Sequence, residues 1–556
     1  MPQAGVDVRS VPAPGSLPLG RTRTGWLVLC VGVLVPAPAD IQADQQRNRF
    51  DLESATIPEI NAAFDSGALT SVGLVELYLA RIDAYDLRGP ALNAVIVLNP
   101  HALELAAALD EERAASGPRS PLHGIPVLVK DNFNTVDMPT TAGSVALAGS
   151  IPPSDAFAVE RLREAGAIIL GKVNLSEFAT PAGQGAYNSL SGITRNPHNL
   201  RRDPGSSSGG TAAAVSANFA PVGLGTDTGG SIRGPAAATG LVGIRPTFGL
   251  VSRHGIIPQV PSLDVGGPLA RSVTDVAITL GVIAGPDPRD PATMEEDAVY
   301  GRDYAASLDG DALDGARLGV LRDFFGGHPD VDRLVEGALD DMRALGASIV
   351  DPIRLDPQFF ELMGGLRANL DAEFKPALEA YLATLPDGFP RTLEEVIARY
   401  EADEVVSSPT PVNPGLIASH VRKLEIGGWD HPGYVTAMER DMPLVRETVV
   451  AILDEYDLDA LIYPTSRCPA RPIFNIEDSS FTCEPGPSGV NIASYSGFPD
   501  VQVPVGFSAD GLPATISFVG RAYTEANLLA YAYAYEQATG HLRLPSTVPP
   551  LPGESF

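Results

Sequence analysis

Gly205-Ser206-Ser207-Ser208-Gly209-Gly210-Thr211 and Gly225-Thr226-Asp227-Thr228-Gly229-Gly230-Ser231-Ile232-Arg233 bracket an alanine-rich helical stretch, Ala212 to Phe219, and a short apolar strand, Pro221 to Leu224. A flexible linker does not enclose a helix and a strand in this way, so the two segments read as turns. Glycine at such turns permits positive φ and lets backbone N–H groups approach a ligand, which suits an anion or an oxyanion. No lysine follows the glycines, so the phosphate-loop pattern fails.

Outward from these turns, short apolar strands alternate with helical patterns. Strands are predicted at Ala94 to Leu98, Pro126 to Lys130, Ile168 to Leu170, Val222 to Gly225, Leu318 to Leu321, Ala460 to Tyr463, Val501 to Val505 and Thr515 to Val519. Amphipathic helices are predicted at Glu53 to Asp65 and Ser71 to Asp86, the second with Leu74, Leu77, Leu79 and Ile82 at helical spacing. This alternation indicates an α/β fold, a central sheet covered by helices on both faces. Between Asp356 and Asp441 helical patterns dominate, so that stretch is predicted to be a helical insertion or cap. No linker divides the chain, and one large domain is expected over residues 50–545, with a tail at 546–556.

The 556 residues carry 39 Lys+Arg against 68 Asp+Glu, a formal charge of −29. A field of that sign repels phosphate backbones and anionic headgroups, which argues against nucleic-acid and basic membrane-surface binders. With 44% hydrophobic residues the chain can bury a large core. Only four lysines occur: Lys130, Lys172, Lys375 and Lys423. Lys130 ends the apolar strand Gly124 to Val129 and precedes Asp131-Asn132. Burial there disfavours the ammonium and fits a general base, in preference to a solvated strand-end lysine.

Lys130, the Gly205 to Gly210 segment with Ser207, and the Thr226 to Arg233 segment with Ser231 resemble the amidase signature family of serine hydrolases. Ser207 and Ser231 are 24 residues apart, and Lys130 lies 77 before Ser207. Gly171 to Phe178, Thr194 to Pro197, Gly240 to Thr247, Gly511 to Pro513 and Phe518 to Gly520 agree with the resemblance, which covers Phe50 to Gln537. It is most similar to the exported bacterial peptide-amidase-like branch and implies the amidase signature fold, with a central mixed β-sheet. It implies Ser231 as nucleophile, Ser207 as proton relay after a cis peptide bond, and neutral Lys130 as base. It also implies an oxyanion hole from the N–H groups of Thr228, Gly229, Gly230 and Ser231, with Asp227 and Arg233 supporting the loop and Lys172 structural. Ser206, Gly183, Gln184 and Thr141 are expected at the substrate, in a cleft lined by the Ala182 to Ser191 loop, the Thr140 to Ser144 turn and the helical insertion. Ser206 departs from the glycine the family often has there. No metal or organic cofactor is required, and no ligand cluster appears in the sequence.

The reaction implied is hydrolysis of the C–N bond of carboxamides, either peptide amides or small aliphatic or aryl amides, to a carboxylate and ammonia or an amine. The alternatives are a glutaminase-type subunit of a transfer-RNA amidotransferase and a non-catalytic secreted binding protein on the same fold. A nucleophile elbow at Gly205 to Gly209 fails because Asn196 to Pro204 is polar and turn-rich rather than a strand. A paired aspartic protease built on Asp65 and Asp227 fails because Asp65 follows a helical pattern. The expected partner is an amide substrate, not nucleic acid, and the protein is expected to be a monomer or homodimer.

Arg21 and Arg23, the apolar Trp26 to Val35 and the small-x-small Ala37-Pro38-Ala39 read as a signal peptide, residues 1–39, with a short leader at 40–49. Export to the periplasm or outside is expected, a cytoplasmic location being the alternative. The apolar run is about half the ~20 residues of a membrane-spanning helix, so no stable anchor is expected. Cleavage removes Cys30 and leaves Cys468 with Cys483, either bonded or as free thiols.

Overall fold

The computed structural model describes residues 50–295 and 300–555; the expected signal peptide (1–39) and leader (40–49) lie outside these. Eleven strands form one sheet: β1 (Val95–Leu98), β2 (Pro126–Lys130), β3 (Ile168–Val173), β4 (Val222–Asp227), β5 (Val242–Arg245), β6 (Val265–Ala270), β7 (Arg317–Leu321), β8 (Ser348–Ile353), β9 (Ala460–Pro464), β10 (Asp500–Phe507) and β11 (Pro513–Val519). Their order is β1-β3-β2-β4-β6-β5-β10-β11-β9-β7-β8. The sheet is mixed. β3, β2 and β4 run parallel, as do β9, β7 and β8, and the pairings from β4 across to β9 are antiparallel, as is that of β1 with β3.

All eight expected strands are present, six of them longer than expected by one to three residues, β2 unchanged and β1 one residue shorter. β5, β6 and β8 were not legible in the sequence. β5 and β6 contain glycines and a proline that weaken the strand pattern, while β8 tolerates Pro352 because it is an edge strand. The first expected helix begins at Ile57 rather than Glu53, because Thr56 caps it by accepting from the Glu59 N–H while Glu59 reaches back to the Thr56 N–H.

Parallel pairing of β2 with β4 sets Val129 opposite Leu224, which brings Lys130 beside Thr226 where both strands end. Both strands are fully buried, as is the helix Gly209–Ser216 that packs over them. The carboxyl ends of parallel strands are where open α/β sheets present their ligand sites.

The stretch from 356 to 441 is helical as expected, with Pro357–Leu370, Phe374–Leu382, Leu393–Tyr400 and Pro414–Ile426 as its main helices. Leu378, Leu382, Val396 and Leu416 pack with Ala142, Leu147 and Phe178 of the body in one apolar cluster. The C-terminal residues do not form a loose tail. Ser555 bridges Asp51, the Glu554 carbonyl accepts from Leu52 N–H at 2.9 Å, and the Glu554 carboxylate pairs with buried Arg81 at 2.7 Å. A guanidinium as deeply buried as that of Arg81 needs an anion in direct contact, which is why the end of the chain folds back.

Candidate active site

Lys130 and Ser207 are both 0% exposed, whereas Ser231 is 9% exposed at the edge of a cleft, so the three run from the interior outward. Lys130 Nζ donates to Ser207 Oγ at 2.8 Å, to Thr226 Oγ1 at 2.7 Å and to the Thr226 carbonyl at 3.5 Å. Asn132 Nδ2 donates to Thr226 Oγ1 at 3.0 Å and fixes that hydroxyl. Burial pushes the Lys130 ammonium down to about 7, against the opposing pull of the Asp227 and Asp264 carboxylates. A neutral amine keeps two N–H bonds, which the two Thr226 oxygens match, and its lone pair is then left to Ser207.

The Ser206–Ser207 peptide bond is cis. Gly205, at φ +86°, must be glycine because a Cβ would lie 2.6 Å from Pro235 Cα. Ser208 N–H donates to the Ser231 carbonyl at 3.2 Å, and this bond joins the two serine-bearing turns.

Asp227 organises the second turn. Its carboxylate accepts from the N–H groups of Gly230 at 2.8 Å and Ile232 at 3.0 Å, and pairs with Arg233 at 2.9 Å and Arg245 at 3.0 Å. Arg233 also holds Asp500 at 2.9 Å, and Tyr463 donates to that carboxylate at 2.7 Å. The buried quartet carries two positive and two negative charges, so each is compensated. Burial alone raises the Asp227 pKa, yet the two guanidiniums outweigh it and hold the carboxyl well below the usual range. Asp227 and Arg233 thus brace the loop as expected; Arg245, Asp500 and Tyr463 complete the brace and were not singled out in the sequence.

Of the four N–H groups expected to form the oxyanion hole, that of Gly230 is taken by Asp227, because the turn needs it to close on the carboxylate. Those of Thr228, Gly229 and Ser231 have no protein acceptor among the described residues. Gly230 itself, at φ +107°, turns toward Val490, whose Cγ2 would lie 2.9 Å from a Cβ there. The Thr228 side chain is anchored on Asp264 at 2.5 Å.

A cleft of about 1030 Å³ passes Ser206, Gly229 and Gly230, the immediate neighbours of both serines. Gly183 and Gln184 line it with Ser206, as expected, but Thr141 does not. Thr141 is 2% exposed and its hydroxyl donates to Asp131, whose other oxygen pairs with buried Lys172 at 3.1 Å. The Thr140 to Ser144 turn therefore contacts the buried Asp131–Lys172 pair and does not line the cleft. The helical insertion approaches through Arg367, whose Nη1 is 3.7 Å from where a Gly229 Cβ would be. The opposite wall is the segment from Thr465 to Val490, missed in the sequence, whose only signal was the Cys468 and Cys483 pair. These cysteines are disulfide-bonded. Among the described residues no group of three or more His, Cys, Asp or Glu is arranged to hold a metal ion, and no helix is long and apolar enough to cross a membrane.

The Amidase family model matches residues 73–529. A glutamyl-tRNA(Gln) amidotransferase subunit of Aromatoleum aromaticum is 36% identical over 515 residues, covering 89% of this chain and 99% of the relative. The structure of native peptide amidase from Stenotrophomonas maltophilia superposes with a TM-score of 0.79 at 39% identity, covering 89% of this chain and 99% of that one. The corresponding glutamyl-tRNA(Gln) amidotransferase subunit of Thermotoga maritima gives a TM-score of 0.66 at 28% identity, covering 89% and 98%. With the amidase signature fold, the motifs in order and a family match over most of its length, this chain belongs to the amidase family of enzymes that act on carbon–nitrogen bonds.

Proposed function

We propose that the chain is a serine amidohydrolase that cleaves peptide amides or small aliphatic and aryl amides through an acyl-enzyme. The observation that carries this reading is the 2.8 Å contact between buried Lys130 Nζ and Ser207 Oγ, on a turn joined to that of Ser231 by the Ser208 N–H to Ser231 carbonyl bond. Neutral Lys130 takes the Ser207 proton as Ser207 takes that of Ser231, and Ser231 Oγ bonds to the carbonyl carbon. The oxyanion is held by the N–H groups of Thr228, Gly229 and Ser231, each such donor being worth ~3 kcal/mol of barrier at comparable sites. Ser207 returns a proton to the leaving nitrogen as the C–N bond breaks. Water, deprotonated along the same path, then releases the carboxylate and restores Ser231.

The curated relatives support a second reading, a glutaminase-type subunit of a transfer-RNA amidotransferase that works in the cytoplasm with partner subunits. The formal charge of −29 and the Cys468–Cys483 disulfide favour the first. Measured by ammonia release, kcat/KM for an N-acetylated dipeptide amide is expected to exceed that for free L-glutamine by about tenfold or more. The reverse order supports the amidotransferase reading. The disulfide and the signal-peptide pattern of residues 1–39 support export after cleavage behind Ala39. N-terminal sequencing of the protein from its native host is expected to begin at Asp40, and a cytoplasmic chain that retains residues 1–39 contradicts export.

A further inference from the structure

The cleft wall from Thr465 to Val490 is not absorbed by the acyl-transfer chemistry. Between Pro464 and Val490 it contains no helix or ladder strand, only an isolated bridge between Pro472 and Arg202. Irregular segments of this length inside a compact domain are characteristically functional. This one is tied down. The Cys468–Cys483 disulfide closes its base, Asp203 N–H donates to the Arg471 carbonyl at 2.8 Å, Ile473 N–H donates to the Arg201 carbonyl at 3.0 Å, and Arg202 pairs with Asp478 at 2.8 Å. Its anchors at 201–203 immediately precede Gly205-Ser206-Ser207, and the Asp203 carboxylate accepts from Gly205 N–H at 2.8 Å. Wall and serine turn are therefore linked directly through residues 201–205.

Among the polar residues of this wall, two phenylalanines, Phe474 and Phe481, line the cleft. Phe474 is 44% exposed with its ring 5.6 Å from that of Tyr187, and Phe481 has the Arg202 guanidinium 5.3 Å from its centroid. An exposed ring such as that of Phe474, with half-buried Phe481 also lining the cleft, suits a binding surface rather than core packing. At about 1030 Å³ the cleft is far larger than a simple amide needs. When the leaving group is ammonia, that volume falls to the acyl side.

We propose that the disulfide-closed segment Cys468–Cys483 forms an acyl-side subsite in which Phe474 and Phe481 receive an aromatic or bulky aliphatic side chain of a peptidyl amide. This rests on the amidohydrolase reading above and deepens it by naming the substrate class.

The test is the ratio of kcat/KM for N-acetyl-phenylalaninamide to that for propionamide, followed by ammonia release. The Phe474→Ala, Phe481→Ala double variant is expected to lower the ratio about tenfold, chiefly by raising KM for the peptidyl amide. Cys468→Ser with Cys483→Ser is expected to lower it in the same direction, since the wall then loses its closure. A ratio within twofold of the parent in both variants overturns the subsite. A parent protein that hydrolyses propionamide but not the peptidyl amide overturns the subsite and leaves the acyl-transfer chemistry standing. Failure on both substrates overturns the amidohydrolase reading itself.

Discussion

Replacing Ser231 with alanine is expected to lower kcat/KM for amide hydrolysis by about 10,000-fold or more, the scale on which serine hydrolases lose activity with their nucleophile. Ser207 is engaged by Lys130 as the proton relay, so without Ser231 the relay has no nucleophile to activate. The unfolding midpoint is expected to stay near that of the parent, because the turn is closed by backbone N–H groups on Asp227 and by the Ser208–Ser231 backbone bond rather than by the Ser231 hydroxyl. Ammonia release that persists in the folded variant contradicts the proposed mechanism.

Removing the base is expected to be nearly as severe. Lys130→Ala should reduce kcat about 1,000-fold, within the range spanned by general bases. Lys130→Arg should fare no better, since guanidinium keeps its proton throughout the accessible range. The pH profile carries the same information without a mutation. Only neutral Lys130 accepts a proton, and burial has brought its pKa down to about 7. The neutral fraction therefore grows as pH rises. The parent enzyme should gain about tenfold in kcat/KM per unit of pH below that value and level off above it. A flat profile from about pH 5 to pH 8, or a Lys130→Ala enzyme retaining a tenth of its activity, contradicts the assignment.

The chemistry was legible in the sequence because it sits where local patterns are strong. Lys130 ends a strand whose bounds the structure reproduces, and the glycine turns around Ser207 and Ser231 depend on backbone conformations that sequence encodes directly. What escaped depends on contacts between distant segments. Asp500 and Tyr463 lie far along the chain from Asp227, and only folding brings them to Arg233. Thr141 was expected at the substrate, but a contact only ten residues away takes its hydroxyl to buried Asp131. β5 and β6 were obscured by glycine and proline that two neighbouring strands nonetheless accommodate. The cleft wall offered neither periodicity nor strand pattern, only two cysteines. Among the expected oxyanion donors, Gly230 was assigned by its place in a motif, and only the geometry reveals that its N–H faces Asp227.

The central claim is that Ser231 is the nucleophile activated through Ser207 and Lys130. Peptide mapping by mass spectrometry after treatment with a fluorophosphonate probe tests it most directly. The account predicts a single stoichiometric adduct on Ser231 that is lost in Ser231→Ala and forms far more slowly in Lys130→Ala. A fully folded protein that acquires no adduct, or one labelled at another residue, contradicts it.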